Sequence, residues 1–258
     1  MSAPDELPPV RIGCVGYLNA HPLIHGWPGG VRFDHPAALC QQLAAGELDV
    51  ALVSSFEYLR HPIYSIVDGV AIASDGPVYS VILASCGEIE ELREVVTDPA
   101  SATSTNLLRC LLGERGVTPH FVTAGEIEPG RGQLFIGDQA IRFRRETGAR
   151  YRIMDLGEEW KTQTGLPFVY ALWLIRPEFQ ARRQIAEVIR SLGKRNRTRL
   201  ETVIAAQAKA ERVFCQFYFR DCLRFTFAEE EKKGFHKFAE LCVGQRILPS
   251  VPSSLELV

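Results

Sequence analysis

Residues 16–23 place an amide side chain and a proline where a strand gives way to a helix. They follow the apolar run 10–15, which predicts a buried first strand. The amide of Asn19 can both donate and accept hydrogen bonds, and ligands of open α/β sheets bind at the carboxyl edge of the strands. Asn19 is therefore a candidate ligand contact. The alternative is a simple turn in which the asparagine bonds its own backbone.

Ser80 is the second candidate. It follows the turn sequence Asp75-Gly76-Pro77 near the start of a strand-like run over residues 79–84. A hydroxyl at this position either points into a cleft or satisfies a neighbouring carbonyl group, and spacing alone leaves both readings open.

Three hydroxyls, those of Ser101, Thr103 and Ser104, stand at the start of a predicted helix over residues 103–112. The first N–H groups of a helix are unpaired and its dipole favours negative charge, so this segment is a candidate anion site. An ordinary serine or threonine cap is the alternative.

Ser54 and Ser55 stand at the start of another predicted helix. Either one is a candidate N-cap, and Glu57 follows Ser54 at the three-residue spacing of a capping box.

Metal and nucleotide chemistry are not indicated. His21 and His25 have the spacing of a helical metal pair, but Pro22 lies between them and no His-Glu-x-x-His pattern includes them. The sequence has no glycine-rich nucleotide loop and no Gly-x-Ser-x-Gly elbow. Asp138 follows an apolar run and is predicted to cap the next helix. We therefore predict no metal and no cofactor.

The composition indicates a globular protein with a small molecule as its partner. Of the 258 residues 46% are hydrophobic, and a formal net charge of −2 gives no reason to expect nucleic acid or an anionic membrane. Apolar runs such as 168–175 are too short to span a bilayer. Seven scattered cysteines and an N-terminus without signal-peptide features predict a cytoplasmic location.

The elements that must position these residues form two α/β units followed by helices. Predicted strands cover 11–15, 49–53, 67–73, 79–84, 95–96, 121–122, 134–136 and 167–174, and predicted helices cover 37–45, 103–112, 185–192, 200–210 and 228–242. Strand–helix alternation in the first unit predicts a parallel sheet. We expect two lobes, residues 8–87 with 172–258 and residues 88–171, with crossings near 84–88 and 171–175. A single doubly wound domain fits the pattern equally well.

Several segments fall in a characteristic order after residues 16–23: 52–58, 75–80, 101–104, 136–140, 156–160 and 164–171. This ordered set resembles the chorismate dehydratase family of the futalosine route to menaquinone, closely over residues 10–176 and more diffusely to residue 258. The resemblance implies an α/β, two-lobed type 2 periplasmic-binding-protein-like fold with the ligand cleft between the lobes.

The same resemblance implies a hydro-lyase that converts chorismate to 3-[(1-carboxyvinyl)oxy]benzoate and water. It implies catalytic roles for Asn19 and Ser80. It implies substrate binding by Ser54, Ser101, Thr103, Ser104, Gly137 and Phe168. Ala102 departs from the pattern, because family members commonly carry an arginine there.

Two other functions stay open at this point. One is a 1,4-dihydroxy-6-naphthoate synthase-like enzyme of the same pathway, and the other is a non-catalytic binding protein for an aromatic or carboxylate solute. The Asn-x-x-Pro-Leu and Thr-Gly-Leu-Pro-Phe motifs favour the dehydratase, and the lack of an export signal disfavours the binding protein.

Overall fold

Two five-stranded sheets form the framework of the computed structural model, which describes residues 9–98 and 101–258. The strands are β1 (Ile12–Val15), β2 (Val31–Asp34), β3 (Val50–Ser54), β4 (Ser65–Ser74), β5 (Val81–Ser85), β6 (Glu94–Val96), β7 (His120–Val122), β8 (Arg131–Ile136), β9 (Arg152–Asp155) and β10 (Phe168–Ile175). The first sheet has the order β2-β1-β3-β10-β4, and the second has the order β7-β6-β8-β5-β9.

Helices pack around both sheets. They are α1 (His21–Ile24), α2 (Pro36–Ala45), α3 (Ser55–Arg60), α4 (Ala102–Glu114), α5 (Gly137–Glu146), α6 (Leu156–Thr164), α7 (Arg182–Thr198), α8 (Leu200–Ala205), α9 (Arg212–Phe217) and α10 (Glu229–Gly244). A π-helical turn, Tyr218–Cys222, continues α9. The helix predicted over 200–210 is shorter in the structure, where α8 ends at Ala205. No helix within 9–98 or 101–258 is long and apolar enough to cross a membrane.

Both sheets are mixed, so the predicted parallel sheet is confirmed only in part. β1 runs parallel to β2 and β3, but β10 lies antiparallel between β3 and β4. In the second sheet β6 is parallel to β7 and β8, while β5 is antiparallel to β8 and β9. The antiparallel strand of each sheet is the one that follows a crossing from the other sheet.

The chain crosses between the sheets earlier than the sequence suggested. β5 belongs to the second sheet and β10 to the first, so the crossings lie between Ser74 and Val81 and between Asp155 and Phe168. The first crossing contains the Asp75-Gly76-Pro77 turn, and the second ends in a left-handed glycine, Gly165, with φ of 73°. We propose lobe boundaries at these two turns, because glycine adopts a positive φ at little steric cost where the chain changes direction.

The core of the first lobe lies around β3 and β10. Every residue of β10 except Ala171 is buried, and four of the five residues of β3 are buried. Helices cover both faces of such central strands, which explains why they read as continuous apolar runs instead of alternating patterns.

Candidate active site

A cavity with an empty volume of about 610 Å³ is lined by strands of both sheets and by the first residues of α4 and α5. Its lining comprises Val15, Tyr17, Asn19, Pro36, Val53, Ser54, Ile72, Val78, Ser80, Val81, Ser101, Ala102, Thr103, Ser104, Ile136, Gly137, Tyr170 and Ala171. Most of these side chains are apolar, and the polar ones are hydroxyl or amide groups.

Seven of the eight predicted site residues line this cavity: Asn19, Ser54, Ser80, Ser101, Thr103, Ser104 and Gly137. Phe168, which was also predicted to bind substrate, is not among the lining residues. It is buried in an aromatic cluster, with ring centroids 5.1 Å from Trp160 and 5.0 Å from Phe238. Tyr170, two residues further along the same strand, takes the place at the cavity wall.

A buried carboxylate holds the backbone that leads into Ser80. Asp155 accepts hydrogen bonds from the backbone N–H groups of Val78 at 2.9 Å and Tyr79 at 2.8 Å, and its second oxygen also accepts from Arg144 at 3.0 Å. Tyr79 has φ of 66°, a conformation that a bulky residue adopts only when its surroundings impose it. The carboxylate therefore fixes the turn that delivers Ser80 to the cavity.

The Ser80 side chain is held separately from its backbone. The backbone carbonyl oxygen of Ser80 accepts from Gly137 N–H at 2.7 Å. Its side-chain hydroxyl oxygen accepts from the hydroxyl of Tyr218 at 2.6 Å. Ser80 and Tyr218 both have no measurable exposure.

Thr103 joins two helices. Its hydroxyl oxygen accepts from the backbone N–H of Phe56 at 3.0 Å and lies 2.5 Å from the hydroxyl of Ser54. The predicted capping box at Ser54 is wrong: Ser54 makes no side-chain cap, and the Glu57 carboxylate pairs with Arg60 instead. The start of α3 is capped by a residue of α4.

Two polar atoms of the cavity residues lack a hydrogen-bond partner. They are the hydroxyl oxygen of Ser101 and the carboxamide oxygen Oδ1 of Asn19, and both are buried. Ser101 immediately precedes α4, with the residue as a whole 5% exposed. Since a buried polar atom without a partner is costly, these atoms are the natural contacts for a polar ligand.

Asp138 connects the two sides of the molecule. Its Oδ1 accepts from the backbone N–H of Leu18 at 3.0 Å, so it does not cap its own helix as predicted. Beside it, Gly137 has φ of 54°, and a Cβ there would lie 3.1 Å from the ring of Tyr17. Residues 16–18, the start of the β1 loop that follows β1, thus lie directly against the start of α5.

The electrostatics of the cavity come from dipoles. No charged side chain lines it in the parts of the chain that the structure describes. Burial raises the pKa of both lining phenols, Tyr17 and Tyr170, so these hydroxyls are neutral at physiological pH. The starts of α4 and α5 supply partial positive charge, which suits a carboxylate. No group of three metal-ligating side chains occurs among the described residues.

Three tyrosines at or beside the cavity, Tyr17, Tyr170 and Tyr218, were not predicted as site residues from the sequence. Tyr17 and Tyr170 stand within motifs of the ordered set, so their position was available as a signal. Tyr218 lies 138 residues from Ser80 in the chain, and no local pattern links the two.

Two mixed α/β sheets with a cavity lined by both form a periplasmic-binding-protein-like fold. A solved structure from Archaeoglobus fulgidus is similar, with a TM-score of 0.65 and 16% identity over 93% of this chain and 98% of that one. The periplasmic aliphatic sulphonate binding protein SsuA from Escherichia coli is similar as well, with a TM-score of 0.57 and 17% identity over 94% of this chain and 89% of that one. At these identities the likeness shows the fold.

The sequence comparisons are more specific. A family model described as menaquinone biosynthesis matches residues 10–243. A chorismate dehydratase from Thermus thermophilus is 32% identical, and the match covers 90% of this chain and 94% of that protein. The chain belongs to this menaquinone biosynthesis family.

Proposed function

We propose that the protein is a chorismate dehydratase, a hydro-lyase that converts chorismate to 3-[(1-carboxyvinyl)oxy]benzoate and water. The observation that carries the proposal is the relationship to a chorismate dehydratase along nearly the whole chain. The cavity supports it, because the hydroxyl and amide groups of widely separated motifs converge there.

The reaction removes a proton from ring carbon 3 and expels the neighbouring hydroxyl group. The proton is acidic because a ring double bond links that carbon to the ring carboxylate, onto which the negative charge moves. Loss of the hydroxyl group then makes the ring aromatic, and proton and hydroxide leave together as water. An enzyme for this step has to hold two carboxylates, stabilise the developing charge and exclude bulk water.

The residues divide among these tasks by location. Ser101, Thr103 and Ser104 at the start of α4 bind a carboxylate, with the unpartnered Ser101 hydroxyl as the principal donor. Ser54 and Gly137 complete the binding surface. Asn19 and Ser80 face the reacting ring and hydrogen-bond the oxygen atoms on which charge develops.

The base is the substrate's own enolpyruvyl carboxylate in this proposal. The described cavity lining contains no aspartate, glutamate, histidine or lysine that could take the proton. The protein then contributes by fixing the geometry of an intramolecular transfer. A cytoplasmic location is part of the proposal and is supported by seven cysteines that are all free thiols.

Purified protein mixed with chorismate tests the function. The expected result is a product lighter by one water, with the absorbance of an aromatic benzoate. Chorismate that binds and is recovered unchanged would indicate a solute-binding protein, and neither binding nor turnover would contradict both readings. Turnover of a bicyclic precursor but not of chorismate would favour the naphthoate synthase alternative.

Matched serine variants test the site. Ser80→Ala should lower kcat by about 100-fold, the scale seen when one charge-stabilising donor is removed. Ser85→Ala is the control: Ser85 is a buried serine of the next strand whose hydroxyl donates to the Gly87 carbonyl at 2.9 Å, outside the cavity lining. Equal activity in the two variants would remove Ser80 from the mechanism.

A further inference from the structure

The hydrogen bond between Tyr218 and Ser80 joins distant parts of the chain inside the protein. Tyr218 opens the π-helical turn that continues α9, and its ring stacks on Phe214 at a centroid distance of 5.4 Å and an angle of 14°. Its hydroxyl donates to Ser80 Oγ at 2.6 Å. π-helical turns are rare and are found preferentially at functional sites.

The direction of this bond determines what the serine can do. The Tyr218 hydroxyl donates to Ser80 Oγ, and burial, which raises the pKa of the phenol far above its usual range, keeps that proton on the tyrosine. A serine hydroxyl has a single proton of its own. With its oxygen already accepting from Tyr218, that proton is available for an acceptor elsewhere, and Ser80 lines the cavity.

Only the side chain of Ser80 depends on Tyr218. The Ser80 N–H donates to the Val78 carbonyl at 2.8 Å, and its carbonyl accepts from Gly137 N–H. Loss of the tyrosine hydroxyl would therefore release the orientation of the serine hydroxyl and leave the backbone in place.

We propose that Tyr218 is a positioning residue that fixes the Ser80 hydroxyl as a hydrogen-bond donor to a substrate oxygen that gains negative charge in the elimination. The inference rests on the proposed dehydratase function. Tyr218 itself does not line the cavity, so it acts through Ser80.

A double-mutant cycle tests this inference with chorismate as substrate. Tyr218→Phe should lower kcat by about tenfold, the effect of one lost neutral hydrogen bond, with little change in KM. Adding Tyr218→Phe to Ser80→Ala should cause no further loss, because the residue acts only through the serine.

Tyr58→Phe is the matched control. Tyr58 is 1% exposed and its hydroxyl accepts from the Glu256 backbone N–H at 2.8 Å, but it does not line the cavity. It should lose a comparable amount of stability and retain wild-type kcat.

The outcomes separate the two proposals. Absence of chorismate turnover by the wild-type protein would overturn the function and this inference together. Turnover by the wild type with unchanged kcat in Tyr218→Phe, or a further fall in the double variant, would overturn the role of Tyr218 alone. A fall in kcat of equal size in Tyr58→Phe would also overturn it, since a general loss of packing would then account for the effect.

Discussion

Each polar atom at the cavity can be judged by whether the folded chain already satisfies it. The hydroxyls of Thr103 and Ser80 have partners within the protein, whereas the oxygen atoms of Ser101 and Asn19 have none. An unsatisfied buried polar atom costs about 1–3 kcal/mol. In the proposed function, the substrate supplies the missing hydrogen bonds to these two atoms.

The pH dependence of the reaction follows from the titratable side chains that line the cavity. The titratable side chains of the described lining are Tyr17 and Tyr170, and burial raises the pKa of each above its usual value. Raised values keep both phenols protonated through neutral and moderately alkaline pH, while a substrate carboxylate is already ionised above about pH 5. We expect kcat to be constant from about pH 6 to 9. A rise or fall of kcat near neutral pH in the wild-type protein would indicate that a side chain of the protein acts as the base.

We expect Ala102 to weaken the hold of the site on a dianionic substrate. It is the first residue of α4 and lines the cavity, at the position where the family resemblance leads one to expect arginine. Ala102→Arg should lower KM for chorismate by about fivefold, because a charge-assisted hydrogen bond outweighs the cost of a cation at a helix N-terminus. Ala102→Gln adds a hydrogen-bonding side chain without charge and is the control. Equal changes of KM in the two variants would contradict a role for the positive charge of the arginine.

At the scale of elements, the site depends on contacts between the ends of helices and strands. Asp155 ends β9, accepts from Gly157 N–H at 3.0 Å at the start of α6, and also holds the Val78–Tyr79 turn. A single carboxylate thus connects both segments in which the chain passes between the sheets. The α3–α4 contact through Thr103 is the second junction of this kind.

Thr103→Val tests that junction. The substitution keeps the shape of the side chain but leaves the Phe56 N–H without its acceptor, so the free energy of unfolding should fall by about 1–2 kcal/mol. Thr105→Val is a control on the same helix, because the Thr105 hydroxyl is buried without a partner and its removal should cost little. Chemical denaturation measures both. Equal losses would show that the hydroxyl of Thr103 has no capping role.

Sequence reasoning found the parts of the site that local patterns encode. Asn19 stands in a turn motif after a predicted strand and Ser80 follows the Asp75-Gly76-Pro77 turn before one, which made both candidates, and their roles were predicted from the family resemblance. The Tyr218–Ser80 and Asp155–Tyr79 bonds were not accessible, since their partners lie 138 and 76 residues apart. The capping box at Ser54 failed for the same reason: a tertiary partner, Thr103, displaced the local one. Two-lobed architecture was predictable from the family resemblance, but the sheet membership of β5 and β10 was decided by long-range pairing.

For the whole molecule, the proposed function places the substrate between the two lobes, and we expect the lobes to open and close around it. The structure places the β1 loop against α5 through the Asp138–Leu18 hydrogen bond. A surface ion pair, Arg145–Glu211 at 2.8 Å, also involves α5, but both partners are substantially exposed and such pairs contribute little. The Asp138–Leu18 hydrogen bond is one of several between the lobes, beside Phe56–Thr103 between α3 and α4, and it is the one that we expect to test most simply because Asp138 lies outside the described cavity lining.

Substitution of Asp138 separates this closing contact from the chemistry. Asp138→Leu removes the acceptor for Leu18 N–H, so the closed form loses a hydrogen bond to a charged group and KM should rise by about tenfold. Asp138→Asn keeps an oxygen acceptor at the same position and should stay near the wild-type KM. Because Asp138 is not part of the described cavity lining, kcat at saturating chorismate should remain close to wild type in both. Small-angle scattering should show a smaller contraction on ligand addition for the leucine variant than for the asparagine variant. A fall in kcat without a change in KM would instead place Asp138 in the reaction, and the substrate would then no longer be the sole source of the base.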